Sequence, residues 1–112
     1  MKTKKDLIVE KINRLHDKAM EYCSIADEYK QRHPEDNDEI RSLLIRALYN
    51  ESFAAWLTAD KDIEPTRFVL FSSAISIAKE LGYIDEAEEL KEIALAEKDD
   101  KYKERFLKQI GE

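Results

Sequence analysis

The sequence predicts an all-α chain of antiparallel helix pairs, with four main helices and a short C-terminal one. Three observations carry this. The 112 residues include only two glycines and two prolines, so helix breakers stand at a few definite points. Between them the strong helix formers Glu, Lys, Leu, Ala and Arg dominate. Apolar residues recur at steps of three and four, and nowhere alternate with period two for long enough to make a strand. The length suits one domain spanning residues 1–112.

The first helix is expected over about 6–33. Ile8, Ile12, Leu15, Ala19, Tyr22, Ala26 and Tyr29 fall on one face, widened by Met20 and Cys23. Ala19, Cys23 and Ala26 are small enough to admit a close neighbour. Pro34 ends this helix, because a proline excludes the preceding residue from the α region. Asp36 or Asn37 can cap the next, and the acidic residues that follow suit the positive end of its dipole. Helix two is expected over about 38–60, with Ile40, Leu43, Leu44, Ala47, Leu48, Ala54, Ala55 and Leu57 inward. Ile45, Tyr49, Phe53 and Trp56 lie to its side, so it is apolar over most of its circumference and reads as the central helix.

Pro65 sits where proline is tolerated, at the first position of a third helix over about 65–81. Phe68, Phe71, Ala74, Ile75, Ala78 and Leu81 point inward there, and Gly82 is placed to turn left-handed after its end. Helix four is expected over about 84–98 through Ile84, Ala87, Leu90, Ala94 and Leu95. Asp99 or Asp100 can cap a last helix over about 100–110 that carries Tyr102, Phe106 and Ile110.

Charge narrows the function classes. The net charge is −6. Residues 1–33 hold eight Lys and Arg against six Asp and Glu, net +2, whereas 34–66 are net −5 and 67–112 net −3. An acidic chain is poorly suited to the phosphates of nucleic acid. The N-terminal lysines are the local exception, and they suit solvation of a helix end. No apolar run approaches the roughly 20 residues of a membrane span, so no membrane is expected. One cysteine, Cys23, allows no internal disulfide; with no secretory apolar segment at the start, a cytoplasmic location is expected.

Gly82, followed by Ala87, Ala94 and Leu95, gives Ala74–Asp99 the spacing of one tetratricopeptide repeat, a 34-residue helix pair. Lys91 stands where that repeat prefers an aromatic and Asp99 where it prefers proline. A wider resemblance rests on Arg14-Leu15-His16-Asp17-Lys18-Ala19-Met20 and on Glu64-Pro65-Thr66-Arg67-Phe68-Val69-Leu70-Phe71, followed by Ser73-Ala74. These segments resemble a family of small bacterial tetratricopeptide-like proteins with no assigned activity. The resemblance implies a fold and supplies no mechanism.

Glu51 is the chemical anomaly. Ala47, Leu48, Ala54 and Ala55 surround it at helical spacing, and a carboxylate in an apolar stripe is costly unless paired. Arg67, at the head of helix three's stripe, is the expected partner in a structural ion pair clamping helices two and three. The alternatives are an exposed Glu51, or a carboxylate serving a ligand or catalytic site. His16 and His33 lie too far apart for a shared metal site, and His16, beside the apolar seam, is expected to cap or pack. Ser72 and Ser73 lack a nucleophile motif, Cys23 suits a buried inert thiol, and Gly82 and Gly111 form no phosphate loop. No catalytic residue, metal or cofactor is expected.

Tyr22, Tyr29, Tyr49, Phe53, Trp56 and Phe71 either fill a core or line a groove; Tyr49, Phe53 and Trp56 are the candidate interaction surface. The leading expectation is therefore a non-catalytic protein-interaction or scaffold module, with a protein partner or self-association, a homodimer included. The alternative is a small-ligand or enzymatic helical bundle built on Glu51 and Arg67. A nucleic-acid regulator using the N-terminal lysines ranks third.

Overall fold

A computed structural model describes residues 1–58, 66–96 and 103–111. Five helices account for most of them: α1 (Lys4–Arg32), α2 (Asn37–Leu57), α3 (Thr66–Glu80), α4 (Ile84–Leu95) and α5 (Lys103–Gln109). The described residues contain no strand. The all-α expectation holds, with four main helices and a short last one. The expected Pro65 start, the Asp99 or Asp100 cap and Tyr102 lie outside the described residues.

Local chemistry sets the helix ends. Thr3 caps α1 through a reciprocal box: the Asp6 amide donates to Thr3 Oγ1 and the Thr3 amide to Asp6 Oδ2, each at 3.1 Å. This starts the helix two residues before the expected Asp6. Asp36 caps α2 by accepting from the Glu39 amide. At the far end of α3, Gly82 adopts φ +79°. The Tyr83 amide then donates to the Ala78 carbonyl and the Gly82 amide to that of Lys79, the paired bonds of a Schellman turn.

Side-chain pairings fix the helix directions. Lys11 lies over Phe53, His16 reaches Glu51 and Tyr29 reaches Asp36, so α1 and α2 run antiparallel. Arg41 near the start of α2 donates to the Leu81 carbonyl past the end of α3, which makes that pair antiparallel too. Arg67 at the start of α3 reaches Ala94 at the end of α4, completing the series. Each helix thus packs on its predecessor in the order α1, α2, α3, α4, and α5 packs on α3. The molecule measures 44 × 39 × 19 Å. Its smallest dimension is about two helix diameters, so the array is two helices thick.

The central helix is α3 rather than α2. Eight of its residues are buried (Arg67, Phe68, Leu70, Phe71, Ala74, Ile75, Ile77 and Ala78), and it contacts α2, α4 and α5. α2 buries Leu43, Leu44, Ala47, Leu48, Glu51, Ala54 and Ala55 along one stripe and leaves its aromatic flank in solvent. Its extra apolar side chains are a surface. Ile84, expected inward, is likewise 57% exposed, because it occupies the first turn of α4 outside the stripe of Ala87, Leu90 and Ala94. Phe106 brings α5 onto the core, its ring 5.1 Å from that of Phe68, and Lys79 Nζ donates to the Ile110 carbonyl at 2.7 Å.

Candidate functional site

Among the described residues, two fully buried charged side chains and one exposed aromatic face are the features with chemical content. Glu51 is fully buried, as its apolar setting implies. Its partner, however, is His16. The imidazole Nδ1 lies 2.8 Å from Glu51 Oε1 and 3.0 Å from Oε2. The two side chains share a hydrogen bond at Nδ1, which holds the ring in one orientation. His16 therefore neither caps nor simply packs. It follows Ile12 on the inward face of α1 and satisfies a carboxylate that would be costly to bury alone. About one third of its side chain stays exposed.

Arg67 is also fully buried. Its Nη2 donates to the carbonyls of Ala94 at 2.7 Å and Ile93 at 3.2 Å. These belong to the last turn of α4, at the negative end of its dipole, and the Ile93 carbonyl also accepts from the Ala96 amide at 3.3 Å. The guanidinium also lies 4.8 Å from the ring centre of Phe68 and 5.4 Å from that of Phe71. An ion pair between Glu51 and Arg67 is not among the contacts of the described residues. The register explains this. Arg41 meets Leu81, so Glu51, ten residues on, stands opposite Phe71, ten residues back. Arg67 lies a further turn away, about 6 Å along the axis. The two expected partners instead clasp different neighbours, α1 and α4.

His16 borders a small cleft between α1 and α3, about 150 Å³, with Ile12, Asn13, Thr66, Val69 and Leu70. The imidazole edge not engaged by Glu51 is the group there with acid–base capacity. Cys23 is half-buried on α1, and burial pushes its thiol up to about 11, away from the nucleophilic thiolate. Among the described residues no group of three or more His, Cys, Asp or Glu is placed to hold a metal.

Among the remaining aromatics, Phe71 is core and Tyr22 and Tyr29 are half-buried. Tyr29 donates its hydroxyl to Asp36 Oδ2 at 2.5 Å, locking the α1–α2 turn. That hydrogen bond holds the Asp36 carboxyl below the usual aspartate value and pushes the Tyr29 phenol up to about 12.

Tyr49 is 71% exposed, Trp56 63% and Phe53 47%. Tyr49 and Trp56, one heptad apart on α2, form one wall of a groove of about 330 Å³. Leu48, Ser52, Leu90 and Ile93 line it, and Glu86 and Glu89 stand on the α4 wall. Phe53 is turned the other way, towards α1, where Lys11 Nζ lies 5.2 Å from its ring centre. The expected three-residue surface is thus a two-residue groove wall with a neighbour. The α4 wall could be found only from the fold, because α2 and α4 are separated in sequence by all of α3.

No family model, curated protein or solved structure matches the chain. No helix among the described residues is long and apolar enough to cross a membrane.

Proposed function

We propose that this chain is a non-catalytic, tetratricopeptide-like interaction module that engages another protein through the aromatic side of α2. The observation that carries the reading is the exposure of Tyr49 and Trp56 beside a groove lined by Leu48, Leu90 and Ile93. Large aromatics in solvent at the edge of an apolar groove are what a docking partner covers, and Trp and Tyr dominate interface energies when covered. Consecutive antiparallel helices with a Gly82 turn agree with the family resemblance and with a scaffold of this type. A cytoplasmic setting fits an acidic chain with a single, poorly reactive thiol.

The test uses wild type and a Tyr49→Ala/Trp56→Ala variant as baits in cells that make the protein. Both sites are exposed, so the variant keeps its helical circular dichroism. The reading requires a protein retained by wild type and lost by the variant; identical retained sets sink it. Light scattering over a concentration series tests the homodimer form, and a strictly monomeric species counts against it.

A second reading has one observation in its favour. His16, oriented by buried Glu51, borders the cleft between α1 and α3. A small ligand seated there would meet an imidazole of fixed orientation on an apolar floor. A fragment screen that leaves the His16 ring signals unmoved in NMR spectra removes this alternative.

A further inference from the structure

The groove between α2 and α4 has a chemistry that selects its occupant. Helix α4 carries Asp85, Glu86, Glu88, Glu89 and Glu92, all exposed, against a single lysine, Lys91. Glu86 and Glu89 belong to the groove itself. Neither basic side chain of α2 lines the groove. Arg46 lies over Tyr22 on the α1 side, and Arg41 sits beyond the groove's end, donating to the Leu81 carbonyl and stacking on Tyr83, the residue that precedes α4. The groove therefore joins an apolar floor and two aromatic anchors to a wall whose charged side chains, Glu86 and Glu89, are both acidic.

Its length is also defined. Tyr49 and Trp56 are seven residues apart, as are Glu86 and Ile93. Each wall spans two helical turns, about 10 Å. A ligand helix laid along it would present apolar residues at i, i+3 or i+4, and i+7, with flanking side chains level with the glutamates.

We infer that the α2–α4 groove takes a basic amphipathic helix of a partner protein, with apolar residues seated between Trp56 and Leu90 and Lys or Arg paired to Glu86 and Glu89. This rests on the reading of the aromatic face as an interaction surface and adds the partner's chemistry. An acidic or neutral helix of the same apolar pattern lacks the attraction, and an acidic one meets repulsion along α4.

Trp56 is the only tryptophan in the chain, so its fluorescence reports the groove directly. The probe is a tryptophan-free synthetic helix of about fourteen residues, roughly four turns, with leucines along one face and lysines on its flanks. Matched peptides replace every lysine by glutamate, or every leucine by serine. All are titrated into the intact chain at low and high salt. The expected result is a blue shift of Trp56 emission with the lysine peptide, at least about tenfold tighter than with the glutamate peptide. Binding should weaken as salt rises, and a Glu86→Lys/Glu89→Lys variant should reverse the peptide preference.

Equal blue shifts from the lysine and glutamate peptides overturn the basic-partner inference while leaving the interaction surface standing. An undiminished response to the serine peptide overturns it too, because the groove's apolar floor then plays no part. A concentration-dependent blue shift without peptide, together with dimers in light scattering, makes a second copy the occupant and overturns it. If no peptide moves the emission, the inference fails, and the bait comparison decides the underlying reading separately.

Discussion

The α1–α2 hairpin and the α3–α4 hairpin each bury one charged side chain, and they satisfy it in different ways. In the first, Glu51 is met near the middle of the helices by the imidazole of His16. In the second, Arg67 at one end is met by the terminal carbonyls of α4. One clasp joins two side chains; the other brings a permanently charged guanidinium to main-chain carbonyls. The turns differ in parallel. Pro34 with the Tyr29–Asp36 contact closes the first, and a left-handed Gly82 closes the second. The difference teaches that a helical hairpin can be locked by side-chain complementarity or by helix-end electrostatics, and that the two locks should fail under different perturbations.

The sharpest break is Arg67→Ala. It removes a donor from the Ala94 carbonyl and one of two from the Ile93 carbonyl, and it empties a fully buried space beside the Phe68 and Phe71 rings. A loss of about 3–5 kcal/mol is expected from urea unfolding, combining cavity and hydrogen-bond costs. Lysine at this position should recover only part, because it lacks the planar fork. If Arg67→Ala leaves the midpoint unchanged, the second clasp is not holding the hairpin.

His16→Ala should come next, at about 3 kcal/mol, because it leaves a buried carboxylate unpaired. The comparison is sharpened by His16→Leu/Glu51→Leu. Removing both polar partners together should restore most of the stability, since a packed apolar pair can replace a buried ionic one. Additive losses in this cycle would show that the two side chains do not depend on each other.

Gly82→Ala should cost about 1 kcal/mol. A Cβ would meet nothing within 4 Å, so the penalty comes from the positive φ alone. An asparagine there should cost less than alanine, and equal effects of the two would point away from backbone conformation as the cause.

The smallest effect is expected from pH. The Asp36 carboxyl is held below its usual 3.8 by the Tyr29 hydroxyl and the Glu39 amide, so its folded form favours the charged state. Its contribution is present above about pH 4 and is lost as pH falls through the lowered folded value. Tyr29 runs the other way. Raised from 10.0 to about 12, its contribution is complete below pH 10 and disappears as pH climbs through 12. Tyr29→Phe should flatten both limbs without altering the α3–α4 hairpin. A Tyr29→Phe curve parallel to wild type would show that this turn contact contributes nothing.

Helix positions were largely legible because they depend on local chemistry. Pro34 and Gly82 punctuate the chain, and the inward stripe of α3 follows from three- and four-residue spacing. The anomaly of Glu51 was legible for the same reason. Its partner was not, although a signal existed. Folding the chain about Pro34 sets Glu51 opposite Asp17, next to His16, whereas Arg67 is suggested by its charge alone. Thr3-Lys4-Lys5-Asp6 also carries a readable capping box, which places the helix start before Asp6. The apolar breadth of α2 belongs partly to an exposed aromatic side, which composition does not distinguish from a buried one.

By itself the sequence determined the all-helical class, the turns at Pro34 and Gly82, the small-residue seam of α1 and the need of Glu51 for a partner. These follow from backbone propensity and side-chain period, which act over a few residues. Only the tertiary structure decided that His16 meets Glu51, that Arg67 closes the end of α4, that α3 is central, and that Tyr49 and Trp56 share a groove with the acidic face of α4. Each of these depends on which helices lie side by side and in what register. That is set by the packing of whole faces and by the sum of many weak contacts, so no local pattern contains it.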